Sequence, residues 1–371
     1  MDFALDDDQA LIVQTVRRFV DKDLRGWAGD ADRAGAAPVR LTTVAGELGF
    51  FTDAVPEAAG GLLDGPYPHL TRALRGLELG RGCSAMAALL ECNVEPALAV
   101  ARWGSAVAQA ALFASLVDGG RATTGRDARG RLALTAAGDG VRVTGTVGPL
   151  PALAHASHVL LCAHQGGAPV VLLVPTALGT VTARAPSAWR AAAWGTLALA
   201  DAEIPGDHVV ARGADGADAT AAVLAWHRTS LAARATGVAI AAIEHARHYG
   251  TERVQFGRPI GQFEALIGLA DDADTASAAA RLMTLHAAWL LDRAHDGPSW
   301  AAAADAASRA RVVAADAVGR ATVDAVQIFG GYGFVNDYPV EKLMRDARPY
   351  AQLVGDERFD RILAEVAPTG A

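Results

Sequence analysis

The chain has 371 residues, enough for two or three domains and at least one sizeable hydrophobic core. Its net charge of −8 at pH 7 argues against a nucleic-acid-binding protein, which would carry a basic face. The acidic opening MDFALDDDQ does not resemble a signal peptide. The sequence has no apolar run long enough to predict a membrane span. Its three cysteines are scattered, which indicates neither a zinc site nor a disulfide framework. A cytoplasmic protein is the simplest expectation.

The first 120 residues are predicted to be helical. Residues 6–24 open with acidic side chains, which the helix dipole favours, and continue in an apolar stripe of Leu11, Val13, Val16, Phe19 and Val20. A second short helix, LTTVAGELGFF, is closed by the Pro/Gly loop VPEAAGGLLDGP. Residues 66–118 predict two or three further alanine-rich helices.

Short β-rich runs follow, separated by Gly, Pro and Asp at the spacing of strands and turns. They lie between residues 131 and 212 and read LALTA, VRVTGTV, HVLLCA, PVVLLVP, GTVTARAP and LALADAEIP. This pattern predicts a small β-barrel or sandwich domain. The predicted boundaries are 1–120 for the N-terminal helical domain and 121–215 for the β domain.

From Ala217 onward the pattern is helical again. Three long periodic segments begin at AAVLAWHRTS, FEALIGLADD and SWAAAADAAS, and two shorter ones read VEKLMRDARPYAQLV and DERFDRILAEVA. Long helices with short connections favour a four-helix bundle, assigned to residues 216–371. The predicted fold class is therefore α+β, in the order helices, β domain, helical bundle.

Two glycine-bearing stretches are candidates for chemistry: YGTERVQFGRPIG at 249–261 and QIFGGYGFVNDYPVEKLMRDAR at 327–348. Glycines let a backbone or a cofactor approach closely, and Arg253 is suited to binding a phosphate. The GGxG sequence follows a helix rather than a strand, so a Rossmann turn is disfavoured. Each stretch also fits an ordinary helix end followed by an interhelical loop.

Together with MDFALDDDQALIVQTVRRFV, GELGFFTDAVPEAAGG and AWGTLALADAEIPGDHVV, these stretches resemble the acyl-CoA dehydrogenase family over nearly the whole chain. The resemblance implies a tetrameric flavoprotein with helical, β and helical domains. It implies FAD as cofactor and an acyl thioester as substrate, carried by CoA or an acyl carrier protein. In the implied reaction a carboxylate takes the α proton and the flavin accepts the β hydride.

The resemblance also implies a cofactor site shared between subunits. In the family, the adenosine and pyrophosphate of FAD are held by an arginine-phenylalanine motif and a glutamine-glycine motif of the neighbouring subunit. The matching positions here are Arg253, Gln255, Phe256, Gln327, Gly330, Gly331 and Gly333. A dimer or tetramer, of like or unlike chains, is therefore implied.

The half of the family's site that holds the flavin ring departs from the pattern. The family has a Thr-Glu-Pro sequence followed by Gly-Ser-Asp in its β domain, and here the region reads RATTGRDARGRLALTA. In the family an aromatic residue and a threonine face the flavin, and here TVGPLPALAHAS has Pro149 and Pro151 at about those places.

The position of the family's catalytic base also departs from the family pattern. The family's glutamate position is Val354, and the threonine position that follows is Asp356. Some members carry the glutamate on the long helix instead, at the position of His227, and a histidine can act as a base near neutral pH. The alternative is that His227 is a hydrogen-bonded or solvated residue of the bundle. Asp356 and Glu357 are expected to begin the last helix.

Three functions follow as hypotheses. The first is a flavin-dependent oxidation of an acyl thioester with an unusual base. The second is a non-catalytic subunit that completes the FAD site of a paralogous partner. The third is a redox-neutral enzyme on the same scaffold, because a fold does not determine a reaction.

Overall fold

The computed structural model describes residues 5–127, 130–294 and 297–353. Helices come first, a β domain follows, and long helices complete the chain, so the predicted α+β order is confirmed. The predicted domain boundaries stay predictions. Val354, Asp356, Glu357 and the last predicted helix lie outside the described residues.

The first helix is longer than its sequence pattern predicts. α1 (Asp7–Phe19) begins with a capping box, in which the Asp6 side chain accepts a hydrogen bond from the Gln9 N–H. A π-helical turn at Val20–Leu24 then leads into α2 (Arg25–Ala34), which ends at Gly35 in the left-handed conformation. The predicted end at residue 24 is wrong, because Leu24, Trp27 and Ala31 continue the buried face.

Four more helices occupy the region for which two or three are predicted. After α3 (Val39–Glu47), the chain forms α4 (His69–Gly82), α5 (Ser84–Leu90), α6 (Val94–Trp103) and α7 (Ala106–Val117). In the described part, one stretch has the length and hydropathy to cross a membrane, Ser84–Trp103. It is 83% buried inside the fold and is divided between α5 and α6, as expected of a core segment.

The β domain consists of two four-stranded sheets, in the orders β1-β4-β5-β8 and β2-β3-β7-β6. The strands are β1 (Ala122–Arg126), β2 (Ala133–Ala137), β3 (Gly140–Leu150), β4 (His158–Gln165), β5 (Ala168–Pro175), β6 (Thr180–Ala183), β7 (Gly195–Ile204) and β8 (Val209–Arg212). The six predicted runs correspond to β2–β7. β1 and β8 are additional strands, and β1 pairs in parallel with β4.

The first sheet is buried on both faces. In β4, Val159 and Leu161 point into the core between the two sheets, whereas Leu160 and Cys162 point into the core formed with the helices. This alternation follows from the two-residue period of a strand. The uninterrupted apolar run HVLLCA therefore reflects a sheet inserted between two cores. β1 lies at the edge of this sheet and packs against α6.

Three long helices dominate the C-terminal region: α8 (Gly213–Glu252), α9 (Glu264–Leu291) and α10 (Gly297–Phe329). A hairpin of β9 (Val254–Gln255) and β10 (Arg258–Pro259) joins α8 to α9. A 3₁₀ turn at Gly330–Phe334 follows α10, and α11 (Val340–Asp346) and α12 (Pro349–Gln352) are short.

Glycines bring α4 and α8 unusually close together. A Cβ on Gly80 would lie 2.2 Å from the Arg234 carbonyl oxygen, and one on Gly237 would lie 2.0 Å from the Leu77 carbonyl oxygen. No larger residue fits either position without moving the backbone. The contact fixes the polar side chains of α8 against those of α4.

Candidate functional site

A cleft of about 340 Å³ lies where the β domain faces α8. β1 supplies Thr124, β3 supplies Pro149, the loop after β3 supplies Pro151, and α8 supplies His227. Leu353, the residue before position 354, also lines the cleft. The structure thus brings His227 together with Pro149 and Pro151, which the sequence predicts at about the places of the family's flavin-facing residues.

The cleft wall formed by β1 carries a buried hydroxyl that has no hydrogen-bond partner among the described residues. Thr123 Oγ1 donates a hydrogen bond to the Pro151 carbonyl at 2.9 Å, which ties the proline loop to the strand. The neighbouring Thr124 Oγ1 is buried and has no hydrogen-bond partner within the described ranges. A buried hydroxyl without a partner is uncommon, so Thr124 is suited to meeting a polar ligand in the cleft.

His227 has a carboxylate partner that the sequence did not reveal. Its Nδ1 lies 3.5 Å from Oε1 of Glu95, a buried residue of α6. At this separation the contact is too long for a well-formed hydrogen bond, and Nδ1 makes no hydrogen bond to any described group. Sequence reasoning missed Glu95 because it lies in an apolar run of another domain. Its charge inside that run is the one signal that was available, since buried carboxylates need partners.

Glu95 is held in its charged form. The same Oε1 accepts a hydrogen bond from Arg72 Nη2 at 2.8 Å. Burial raises the pKa of Glu95, but the charge of Arg72 and the contact with His227 outweigh burial and hold the pKa well below its usual value. A carboxylate beside an imidazole can orient the ring and stabilise its protonated form.

A second buried carboxylate extends this network. Glu91 Oε1 accepts hydrogen bonds from Arg75 at 3.3 Å, and Oε2 accepts one from Ser230 Oγ at 2.7 Å. Burial raises the pKa of Glu91, but the charges of Arg72 and Arg75 outweigh burial and hold the pKa below its usual value. We call Arg72, Arg75, Glu91, Glu95 and His227 the buried charge network.

The family-matched cofactor residues gather on a different surface, a concave region of about 740 Å³ at the ends of α8 and α10. Six of the seven residues line it: Arg253, Gln255, Phe256, Gln327, Gly330 and Gly331. We call these six the glycine cradle. The cradle and the cleft have no lining residue in common.

Phe256 is the most unusual residue of the cradle. Phe256 and Gly257 form the two-residue turn of the β9–β10 hairpin, with φ of 50° and 79°. Positive φ at both positions matches a type I′ turn, in which a phenylalanine is disfavoured. The Phe256 side chain is also 94% exposed. A strained, exposed aromatic residue indicates a binding role rather than a folding role.

The glycines of the second motif have two different roles. A Cβ on Gly330 or Gly331 would meet no atom within 4 Å, so the fold itself leaves the space above them open. Gly333 lies outside the cradle lining, and its Cβ would lie 2.6 Å from the Val326 carbonyl oxygen. It lets the turn after α10 fold back onto the helix.

Aromatic rings support the cradle. Tyr249 stacks on Phe329 with ring centroids 4.1 Å apart, and both line the cradle surface. The Arg253 guanidinium lies 5.5 Å from the Tyr332 ring centroid. Tyr249 and Tyr332 stand within the two motifs, but only the fold shows that they meet.

Comparisons with known proteins agree with this architecture. Residues 6–120 match the model for the acyl-CoA dehydrogenase N-terminal domain, and residues 214–364 match that for the acyl-CoA dehydrogenase C-terminal domain. The chain is 39% identical over 167 residues to an acyl-CoA dehydrogenase of Bacillus subtilis, a match that spans 45% of this chain and 42% of that protein. It is 28% identical, over 94% of both chains, to the probable acyl-CoA dehydrogenase YngJ of the same organism.

A solved structure shows the same fold. Butyryl-CoA dehydrogenase from Megasphaera elsdenii superposes with a TM-score of 0.86 over 99% of both chains, at 24% identity.

Proposed function

The chain belongs to the acyl-CoA dehydrogenase family, and on that premise we propose that it binds FAD and oxidises an acyl thioester, with His227 as the base. The observation that carries the proposal is the contact between His227 and the buried Glu95 at the cleft. It supplies a titratable group with a charged partner where the usual glutamate is replaced.

The residues of the glycine cradle suit the adenosine and pyrophosphate of FAD. Arg253 offers a cation to the phosphates, and Gly330 and Gly331 leave room for close approach. Phe256 offers an exposed ring face. As in the family, we propose that this surface completes the FAD of a neighbouring subunit in an oligomer.

The cleft suits the flavin ring and the thioester. The partnerless hydroxyl of Thr124 fits a polar ligand edge at the wall. FAD, when bound, supplies the hydride acceptor. The chain itself supplies the position for the substrate and the acceptor for its proton.

His227 would take the α proton through Nε2, because Nδ1 faces Glu95. The imidazolium formed would be stabilised by the Glu95 carboxylate, which Arg72 in turn holds charged and in place. An imidazole with an ionised partner has the standard features of a general base near neutral pH.

An absorbance spectrum of the purified protein tests the proposal first, and we expect a flavin spectrum with FAD retained. Anaerobic addition of butyryl-CoA, butyryl-pantetheine and longer and shorter homologues should then bleach the flavin band with at least one of them. A colourless protein that FAD does not reconstitute would sink the proposal. So would bound FAD that no thioester reduces.

A second function is favoured by one specific observation. Pro149 and Pro151 line the cleft, whereas all six residues of the cradle are retained and accessible. This asymmetry fits a subunit that completes a paralogue's FAD site without using its own. Native mass spectrometry decides between the two: about one FAD per chain in a homo-oligomer supports the first function, and one FAD per unlike pair supports the second.

A further inference from the structure

Beyond His227 the cleft continues into a small cavity of about 20 Å³. The two spaces share His227, Thr123, Thr124, Pro151 and Leu353. A volume of this size holds about one water-sized group. Because His227 lines both spaces, a short acyl chain whose α carbon stands beside His227 would have this cavity next to it.

Arg234 lines this cavity, where its charge acts on the neighbouring Glu91 and its guanidinium lies 5.9 Å from the Trp189 ring centroid, but it forms no ion pair with a carboxylate of the described residues. Arg234 is 4% exposed. Its one hydrogen bond to a described residue is donated by Nε to the Ser230 carbonyl at 3.4 Å. The two terminal nitrogens have neither a hydrogen bond nor an ion pair with a described residue. The close approach of α4 to α8 at Gly80 and Gly237 holds the backbone of Arg234 in place.

An acceptor lies on the same cavity. Glu95 uses Oε1 for Arg72 and His227, and its Oε2 receives no hydrogen bond from the residues that the structure describes. Glu91 also lines the cavity, but both of its oxygens already accept hydrogen bonds. The cavity therefore offers the free donors of Arg234 and one free acceptor of Glu95.

We propose that this cavity receives a hydroxyl group on the acyl chain of the substrate, so that the substrate is a short hydroxyacyl thioester; this rests on the proposed function. A hydroxyl both donates and accepts, and it has the size of the space. His227 lines cleft and cavity alike, so we place the hydroxyl on a carbon close to the one that His227 deprotonates.

Other acyl groups fit this cavity poorly. A long aliphatic chain has no room and would bury Arg234 and Glu95 without partners. A carboxylate is larger than the cavity and would face Glu91 and Glu95, whereas an ammonium would face Arg234.

A binding panel tests the proposal on the protein as purified, without any turnover. Isothermal titration calorimetry compares the pantetheine thioesters of 3-hydroxypropionate, butyrate, malonate and β-alanine, which differ in the group at the end of a short chain. We expect the 3-hydroxypropionyl thioester to bind roughly 10- to 100-fold more tightly than the butyryl thioester, since butyryl leaves a buried donor and acceptor without partners. Equal or tighter binding of the butyryl, malonyl or β-alanyl thioester would overturn the proposal.

The variant Arg234→Met tests whether Arg234 causes the preference for the hydroxyacyl thioester. It keeps the side-chain length but removes the donors, so we expect the two affinities to converge to within roughly threefold, mainly through weaker binding of the hydroxyacyl thioester. The control Arg309→Met changes an exposed arginine of α10 and should keep the full preference. If Arg234→Met does not fold, the panel on the unmodified chain decides alone.

The panel does not read flavin reduction. A colourless protein that still prefers the hydroxyacyl thioester therefore contradicts the proposed function alone. A yellow protein whose flavin is reduced by thioesters, but which binds the butyryl thioester more tightly than the hydroxyacyl thioester, contradicts the hydroxyacyl proposal alone.

Discussion

The glycine cradle and the buried charge network are built on opposite physical principles. The cradle is exposed, has open space above Gly330 and Gly331, and presents Phe256 on a strained turn. The network is buried, and its charges are held by one another across α4, the turn between α5 and α6, α6 itself and α8. A surface can recognise a large cofactor with a few local residues, whereas reactive groups shielded from water need partners from several elements.

The largest expected effect falls on the network, at His227. The variant His227→Gln removes the base but keeps a polar side chain, so we expect thioester oxidation to fall roughly 10²- to 10⁴-fold while bound FAD stays unchanged. Stopped-flow reduction of the flavin measures the rate, and the visible spectrum measures FAD content. His248→Gln, on the exposed end of the same helix, is the control. An unchanged rate in His227→Gln would remove this residue from the mechanism.

The ion pairs of the buried charge network should also contribute more to the free energy of unfolding than surface ion pairs do. Arg72→Met leaves Glu95 buried with only His227 beside it, and breaking a buried ion pair in this way costs about 3–5 kcal/mol. Arg142→Met removes exposed pairs with Asp201 and Glu203 and should cost no more than about 1 kcal/mol. Urea denaturation followed by circular dichroism measures both. Equal losses would mean that the buried pairs contribute no more than surface pairs.

Next in size is a pH effect at His69, which stacks on Trp226 beside the network. Burial, and then the charge of Arg72, lower the pKa of His69 from 6.5 to about 3. The unfolded chain therefore binds an extra proton below pH 6.5, and folding stability is lost as the pH falls from 6.5 towards 3, by about 2 kcal/mol at pH 5.

His69→Phe keeps the ring but removes this titration. We expect its stability to fall by about 2 kcal/mol less than that of the unmodified chain between pH 7 and pH 5. Denaturation midpoints at the two pH values provide the measurement. His286→Phe, an exposed ring stacked on Trp289, is the matched control and should follow the unmodified chain. Parallel pH profiles for all three would contradict the burial argument.

The smallest effect is expected at the cradle. Arg253→Met should weaken FAD binding roughly tenfold through the loss of a charged contact, and should leave the free energy of unfolding within about 0.5 kcal/mol. Flavin fluorescence titration measures the affinity. Arg258→Met, on the same hairpin, should bind FAD normally, because Arg258 packs over Phe263 and does not itself line the concave surface. A matching loss in Arg258→Met would mean that general charge, rather than the cradle, holds the cofactor.

The sequence predicted elements whose signal is local. HVLLCA and PVVLLVP are strands because their β-branched and leucine residues fill two cores at a two-residue period. β1, with the sequence ATTGR, lacks such a signal and was missed, because it exists through its parallel pairing with β4. The end of the first helix was missed for a similar reason, since Trp27 and Ala31 continue a buried face that only packing defines.

By itself, the sequence determined the order of the domains, the family, and the residues of the cradle, because each of these is written in contiguous motifs or in periodic patterns. The tertiary structure decided which charges meet at the cleft. Glu95 reaches His227 only because α6 and α8 pack together, and the backbone of Arg234 is held at the cavity by the close approach of α4 to α8 at Gly80 and Gly237. Charges that must be buried together come from distant parts of the chain, since a single helix or loop cannot enclose them.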